Sequence, residues 1–97
     1  MNIPSSFKLA NINFKVEIVD SLKGSNYGEF NDCTSTIKIA NRVLIDDDWY
    51  DVPDHIKLNT FYHELFHVFC YYYNTETPED IAQVFANFMT EFLSTKK

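Results

Sequence analysis

The sequence predicts a single α+β domain over residues 1–97, with a three-stranded, mostly antiparallel sheet followed by two helices. Three observations carry this prediction. Alternating segments occupy the first 40 residues, an apolar pattern with helical spacing begins near residue 55, and a second one begins near residue 78. A chain of 97 residues suits one compact core, and a hydrophobic content of 45% supplies it.

The strands are predicted from alternation and from the turns between them. Residues 13–18 alternate between apolar and charged side chains, as a half-buried strand does. Residues 27–31 form a second predicted strand, in which Gly28 suggests a bulge or a close backbone approach. Residues 36–40 alternate again and are β-branched. Short connections between them favour an antiparallel meander, and residues 1–12 are expected to form an arm or a helical turn.

Two helices are predicted after the sheet. Residues 41–52 are expected to be a loop or partly helical, and Pro53 can open a helix that ends near Tyr72. Thr77 fits the N-cap of the last helix, and Pro78 fits its first turn. The apolar stripe of that helix consists of Ile81, Val84, Phe85, Phe88 and Phe92.

The charge and the cysteines exclude several classes of protein. A formal charge of −6 and a pI of about 4.8 oppose direct binding to nucleic acid or to an anionic membrane. No stretch approaches the ~18 consecutive apolar residues of a membrane span, and the N-terminus has no signal-peptide pattern. Cys33 and Cys70 show no CxxC spacing. We therefore expect a cytoplasmic protein with reduced thiols.

Residues 63–67 read His-Glu-Leu-Phe-His within the first predicted helix. Side chains four apart share one helix face, with Cβ atoms ~5–6 Å apart, so His63 and His67 can both bind one zinc ion. Glu64 lies one residue round the helix, within reach of a water held by the metal. The spacing therefore predicts a zinc site with Glu64 as the general base.

Catalytic zinc sites usually have three protein ligands, so a third must come from elsewhere in the chain. The candidates are acids downstream of His67, because the start of the last helix lies within reach of the metal. The order of preference is Glu79, then Asp80, then Glu76. Glu91 ranks below them, since it lies about three turns beyond Glu79.

Three further segments accompany the HELFH motif. They are Gly28 followed by Ile37-Lys38-Ile39, Thr60-Phe61 just before His63, and the acid-led, small-residue run 79–86. With them, residues 13–93 resemble the small HExxH metallopeptidase-like proteins, many encoded by phages and prophages, that are related to the ImmA/IrrE and SprT-like zincins. In the relatives the acid often directly precedes alanine, whereas here Ile81 precedes Ala82.

The resemblance implies a minimal zincin-like domain with a Zn²⁺ cofactor. It implies a metallopeptidase that hydrolyses a protein or peptide substrate, in a bacterium or a phage-infected cell. By this resemblance His63 and His67 are metal ligands, Glu64 is the general base and Glu79 is the third ligand. The alternatives are a catalytically weak or inactive zincin-fold binding module with a structural zinc, and an α+β interaction protein without metal.

Three other features have two interpretations each. In zincins an edge strand beside the active helix pairs with an extended substrate, and residues 36–40 are either that strand or an ordinary one. Tyr71 either stabilises an oxyanion or only packs. Trp49 and the run 46–48 either cover the cleft or form a solvated loop.

Overall fold

The computed structural model describes residues 3–9, 11–72 and 79–95. These residues form an α+β fold with a mixed sheet and two helices, which agrees with the predicted class. In chain order the elements are β1 (Ser6–Leu9), β2 (Ile12–Val19), β3 (Gly28–Asn31), β4 (Thr36–Ala40), β5 (Arg42–Ile45), β6 (Asp48–Asp51), α1 (Asp54–Tyr72) and α2 (Glu79–Thr95).

The main sheet has four strands in the order β1-β2-β4-β3. β1 pairs antiparallel with β2, and β3 with β4, but β2 and β4 run parallel. The predicted three-stranded meander is therefore wrong. Parallel neighbours need a crossover of about a dozen residues or more, and residues 20–35 are long enough to provide one. The crossover contains β3, which forms an edge of the sheet, and β4 lies between β2 and β3.

Residues 1–12, expected as an arm or a helical turn, contain β1 instead. Its Phe7 ring stacks on Phe14 of β2, with centroids 5.1 Å apart. Phe14 is 2% exposed, so the added strand extends the apolar face of the sheet. Sequence alternation misses β1 because only a short run of four residues is available to show it.

Residues 41–52, expected as a loop or partly helical, form the β5–β6 hairpin. Asp46 and Asp47 have φ of 50° and 66°, so both central residues of this two-residue turn are left-handed, as the twist of a hairpin prefers. The turn is exposed to solvent. The Arg42 guanidinium lies over the ring of Trp49, with its Cζ atom 4.7 Å from the ring centroid. The same guanidinium donates two hydrogen bonds to Asp20.

Helix α1 begins where Pro53 predicts. The Pro53 carbonyl accepts hydrogen bonds from the backbone N–H groups of Ile56 and Lys57. The helix packs on β3, β4 and α2. The main core lies between the sheet and the helices, and its buried members are Phe14, Val16, Ile37, Ile39, Phe61, Tyr62, Val68 and Ala86.

Helix α2 buries only part of the apolar stripe that the sequence predicts. Phe85 is half-buried and packs against Phe66, with ring centroids 5.1 Å apart. Ile81, Val84 and Phe88 are 48%, 64% and 63% exposed, whereas Ala82 and Ala86 are completely buried. The fully buried face of α2 thus carries alanines one turn apart, whereas Ile81, Val84 and Phe88 face solvent. The predicted cap residues Thr77 and Pro78 and the side chain of Phe92 lie outside the described residues. In the part of the chain described, neither helix combines the length and apolarity needed to cross a membrane.

Candidate metal centre

Three side chains with metal-binding atoms converge between the two helices. His63 and His67 lie one turn apart on α1, and Glu79 is the first residue of α2. The Nε2 atom of His63 lies 2.9 Å from Glu79 Oε2, and the Nε2 atom of His67 lies 3.1 Å from Glu79 Oε1. Their ligand atoms lie within 4.8 Å of one another. The structure thus brings together the two histidines and the acid that the sequence ranks first.

The other candidate acids do not join this group. Asp80 is exposed and is not among the three converging residues. Consecutive helical side chains point about 100° apart, so Glu79 and Asp80 cannot both face the histidines. Glu91 is also exposed and lies further along α2. Glu76 lies outside the described residues. Of the described alternatives, only Glu79 has the position of a third ligand.

Glu64 is a buried carboxyl group beside the two histidines. Its side chain lines the cleft although the residue is only 8% exposed. Burial is the largest of the effects that together raise the pKa of Glu64 from its ordinary value of 4.5 to about 7; His63 lowers the pKa, and the charges of Glu79 and Glu29 raise it. A carboxylate with a pKa near neutrality accepts a proton readily and later releases it. Its environment therefore suits the predicted general base.

His67 is about one-fifth exposed, and burial lowers its pKa. The neighbouring His63 also lowers the pKa, while Glu79 opposes the shift. Lowering the pKa favours the neutral imidazole, and only the neutral ring has a lone pair that can bind a metal. The surroundings of His67 therefore favour the form that a ligand needs.

Gly28 allows the edge strand β3 to lie against Glu64. A Cβ atom added at Gly28 would lie 2.5 Å from Thr60 Cγ2 and 3.3 Å from Glu64 Cγ. Real Cβ atoms essentially never approach as closely as the first of these distances. The close backbone approach predicted at Gly28 is confirmed, and the surface that it contacts is the turn of α1 that carries Thr60 and Glu64.

An open cleft of about 830 Å³ lies over these residues. It is bounded by β3, the residues preceding it, and the two helices. Its lining residues are Asn26, Tyr27, Gly28, Phe30, Ile56, Asn59, Thr60, His63, Glu64, His67, Glu79 and Gln83. All three converging side chains and the buried carboxyl group therefore face a space large enough for part of a peptide.

Three features that the sequence associates with the cleft lie away from it or differ from the expected arrangement. Thr36–Ala40 is not an edge strand, because β4 pairs with β2 on one side and β3 on the other. The edge strand beside the cleft is β3. Tyr71 packs edge-on against Phe30, with centroids 5.9 Å apart, and does not line the cleft. Trp49 and the run 46–48 do not line it either.

The sequence interpretation missed Gln83, whose Oε1 atom lies 3.0 Å from Nδ1 of His63. Gln83 lies four residues after Glu79, so the two side chains share one face of α2. The available signal was this spacing, which repeats on α2 the spacing of the two histidines on α1. Gln83 connects the histidine to further amide side chains of both helices.

The donor set fits zinc. Zn²⁺ takes imidazole nitrogens and carboxylate oxygens, usually in a tetrahedral arrangement, and catalytic sites keep one position open. His63, His67 and Glu79 supply two nitrogens and a carboxylate, and the cleft provides access from solvent.

Comparisons of the chain with models of known protein families, with curated proteins and with solved structures find no match.

Proposed function

We propose that this protein is a minimal zincin-like, zinc-dependent metallopeptidase, related to the small HExxH proteins of phages and bacteria that the sequence resembles. One observation carries the proposal. His63, His67 and Glu79 converge within 4.8 Å, and the carboxyl group of Glu64 is buried directly beside them in an open cleft. We place its activity in the cytoplasm of a bacterium or of a phage-infected cell.

The chain's own residues divide the work of hydrolysis. His63, His67 and Glu79 would hold the metal, and Glu64 would take the proton from the attacking water and return it to the leaving amine. Bound zinc would supply Lewis acidity, which polarises a carbonyl group and lowers the pKa of water to ~7. The raised pKa of Glu64 suits both halves of this proton transfer, because such a group is neither permanently charged nor permanently protonated near neutrality.

An extended peptide is the substrate that this cleft suits best. β3 is the edge of the sheet, and its Gly28 and Phe30 line the cleft. An edge strand offers backbone N–H and C=O groups to a further strand, which gives affinity for many sequences. Gly28 leaves that edge without a side chain where an added Cβ atom would lie 3.3 Å from Glu64 Cγ. We propose that the scissile bond lies along β3 and over the metal.

The test compares zinc-loaded wild-type protein with Glu64→Gln in cleaving a mixture of unfolded peptides, with new termini detected by mass spectrometry. Glu64→Gln keeps the shape of the side chain and loses the base, so we expect one bound zinc and a ~10²–10⁴-fold slower cleavage. Glu17→Gln is the control, because Glu17 is exposed on β2 and does not line the cleft.

The outcomes separate the rival functions. Cleavage by Glu64→Gln at the wild-type rate contradicts the role of Glu64. Zinc binding by both proteins without cleavage by either favours a binding or regulatory module with a structural zinc. Failure of the wild-type protein to bind zinc favours the α+β interaction protein without metal.

A further inference from the structure

We propose that Gln83 is a positioning residue that sets the tautomer of His63, so that the Nε2 lone pair of the ring faces the metal. The inference rests on the proposed zinc site and adds to it a residue that does not touch the metal. It is carried by a chain of hydrogen bonds between α1 and α2, whose members are Ala86, Thr90, Asn59, Asn87, Gln83 and His63.

The direction of this chain is fixed at one end by a backbone carbonyl. The Thr90 hydroxyl donates to the carbonyl oxygen of Ala86, at 2.8 Å, and an oxygen there can only accept. Thr90 Oγ1 has thereby used its proton, so it accepts from Asn59 Nδ2, 3.2 Å away. The amide of Asn59 is then oriented, with its Oδ1 atom turned to Gln83.

The same logic orients Gln83. Its Nε2 atom lies 2.9 Å from Asn59 Oδ1 and 2.9 Å from Asn87 Oδ1, so both amide protons have acceptors. Asn87 Oδ1 also accepts from Asn59 Nδ2, at 3.1 Å, which fixes the orientation of Asn87. Gln83 can therefore present only its oxygen to His63. At 3.0 Å from Nδ1, that oxygen accepts the proton of the ring.

A neutral imidazole that donates from Nδ1 has its lone pair on Nε2. The Nε2 atom of His63 faces Glu79 Oε2 at 2.9 Å. Two lone pairs at this distance repel each other unless a cation lies between them or the ring takes up a second proton. Gln83 thus prepares His63 as a metal ligand. Gln83 contacts Nδ1 of the ring, and Glu79 lies next to Nε2.

The network follows from a single spacing on both helices. Asn59, His63 and His67 are each four residues apart on α1, and Glu79, Gln83 and Asn87 are each four residues apart on α2. Residues at this spacing share a helix face, so the two packed helices oppose an amide-histidine-histidine row to a carboxylate-amide-amide row. Outer partners that fix the ring orientation of a metal-binding histidine are a general requirement of such sites.

The experiment measures zinc affinity by competition with a chromophoric chelator for Gln83→Leu and Gln83→Glu. Leucine removes the acceptor, and we expect ~10–100-fold weaker binding, as is typical of a lost outer partner. Glutamate restores an acceptor for Nδ1–H but cannot donate to Asn59 and Asn87. We therefore expect Gln83→Glu to stay within about threefold of wild-type affinity, although it lowers the melting temperature of the metal-free protein.

The matched control is Val84→Thr, a change of similar size at a neighbouring position of α2 that is 64% exposed. It should leave zinc affinity unchanged. A purely structural role for Gln83 makes the leucine and glutamate variants lose zinc affinity together with melting temperature, and that result overturns the inference. Nitrogen-15 NMR of the zinc-loaded protein adds a direct readout. The Nδ1–H signal of His63 should be protected from exchange in wild type and lost in Gln83→Leu.

The two proposals fail in different ways. If wild-type protein binds no zinc, the proposed function is contradicted and the role of Gln83 falls with it. If wild-type protein binds zinc and Gln83→Leu binds it equally tightly, only the role of Gln83 is contradicted. If the NMR signal in the zinc-loaded wild type comes from Nε2–H of His63 instead of Nδ1–H, the tautomer is the opposite one and the inference is wrong.

Discussion

Two regions of this molecule gather groups that can bind a metal, and they arrange them in opposite ways. The β5–β6 hairpin has four aspartates within six residues, at positions 46, 47, 48 and 51. The helix pair contributes only one carboxylate and two histidines to its group. Yet the only group of metal-binding atoms that converge is the one between the helices, among the described residues 3–9, 11–72 and 79–95.

The difference comes from the periods of the two kinds of structure. Successive strand residues point to opposite faces, so Asp48 and Asp51, three apart, are separated by the strand itself. Asp46 and Asp47 occupy the turn and extend into solvent. On a helix, residues four apart return to one face, and a second packed helix adds its own row. Side chains therefore converge when their spacing in the sequence matches the periodicity of the helix or strand that carries them, whatever the number of acids.

The largest expected effect is a change in zinc affinity, measured for variants of each of the two regions. His67→Ala removes a direct ligand, so zinc affinity should fall by more than the ~10–100-fold of a lost outer partner. Changing all four hairpin aspartates to asparagine should leave the affinity unchanged, because those side chains do not converge. Chelator competition measures both. A large loss of affinity in the hairpin variant would reverse the assignment of the two regions.

A second prediction contrasts a buried acid with exposed ones in the metal-free protein. The folded-state pKa of Glu64 is about 7, above its ordinary value of 4.5. Below pH 4.5 the group is protonated in both states and carries no penalty. As the pH rises towards 7, the carboxyl group of Glu64 ionises in the unfolded chain before it does so in the folded protein, so the folded state is destabilised. Above pH 7 this penalty reaches its full size, on the order of 3 kcal/mol.

Glu64→Gln removes this penalty. We expect the variant to be more stable than wild type at pH 8 and similar to it at pH 4, as measured by urea unfolding in the presence of a chelator. Asp48→Asn, which changes an exposed acid of the hairpin, should show no such difference between the two pH values. Equal stability of wild type and Glu64→Gln at pH 8 would contradict the burial of a titrating carboxyl group.

The smallest effect compares the two glycines, one beside the site and one in the turn that contacts the hairpin. Gly28→Ala forces a Cβ atom against Thr60, and we expect a loss of about 1–3 kcal/mol in the free energy of unfolding. A Cβ atom added at Gly24 makes only an ordinary contact, 4.0 Å from Asn26 Nδ2, but the φ of 73° makes Gly24→Ala cost about 1 kcal/mol.

Thr60→Ser separates the two causes, because serine lacks the methyl group that the added Cβ atom of Gly28→Ala would strike. The double variant Gly28→Ala/Thr60→Ser should recover part of the lost stability, whereas Thr60→Ser should not affect the cost of Gly24→Ala. Both are measured by urea unfolding. Identical behaviour of the two glycines in this cycle would show that conformation, and not close packing against α1, explains Gly28.

Much of the fold follows from local periodicity, and the remainder depends on distant contacts. Strand β4 and the start of α1 are where alternation and Pro53 predict them. The order of the strands was not accessible, because nothing in residues 20–35 states whether β3 neighbours β2 or lies beyond β4. The exposure of Ile81 and Val84 also escaped prediction, since the face of α2 that is fully buried carries the smaller side chains of Ala82 and Ala86.

For the site, the predicted residues and the overlooked ones differ in the same way. The HExxH spacing within one helix suffices to bring His63 and His67 together. The preference for Glu79 over Asp80 required the assumption that a second helix packs back onto the first, and the structure agrees in position. For Gln83 the spacing of four from Glu79 was the only signal in the sequence, and its contact with His63 is seen only in the structure, because a glutamine has no chemistry of its own that singles it out.

The most direct test of the central claim is X-ray absorption at the zinc edge of protein loaded with one equivalent of zinc. Our account predicts a four-coordinate ion with imidazole scattering from two histidines and only nitrogen and oxygen neighbours, at ~2.0–2.2 Å. In His67→Ala the scattering of one imidazole should disappear. Sulfur neighbours at ~2.3 Å, which would indicate Cys33 or Cys70, or a shell of oxygens without imidazole, would contradict the assignment of His63, His67 and Glu79 as the metal centre.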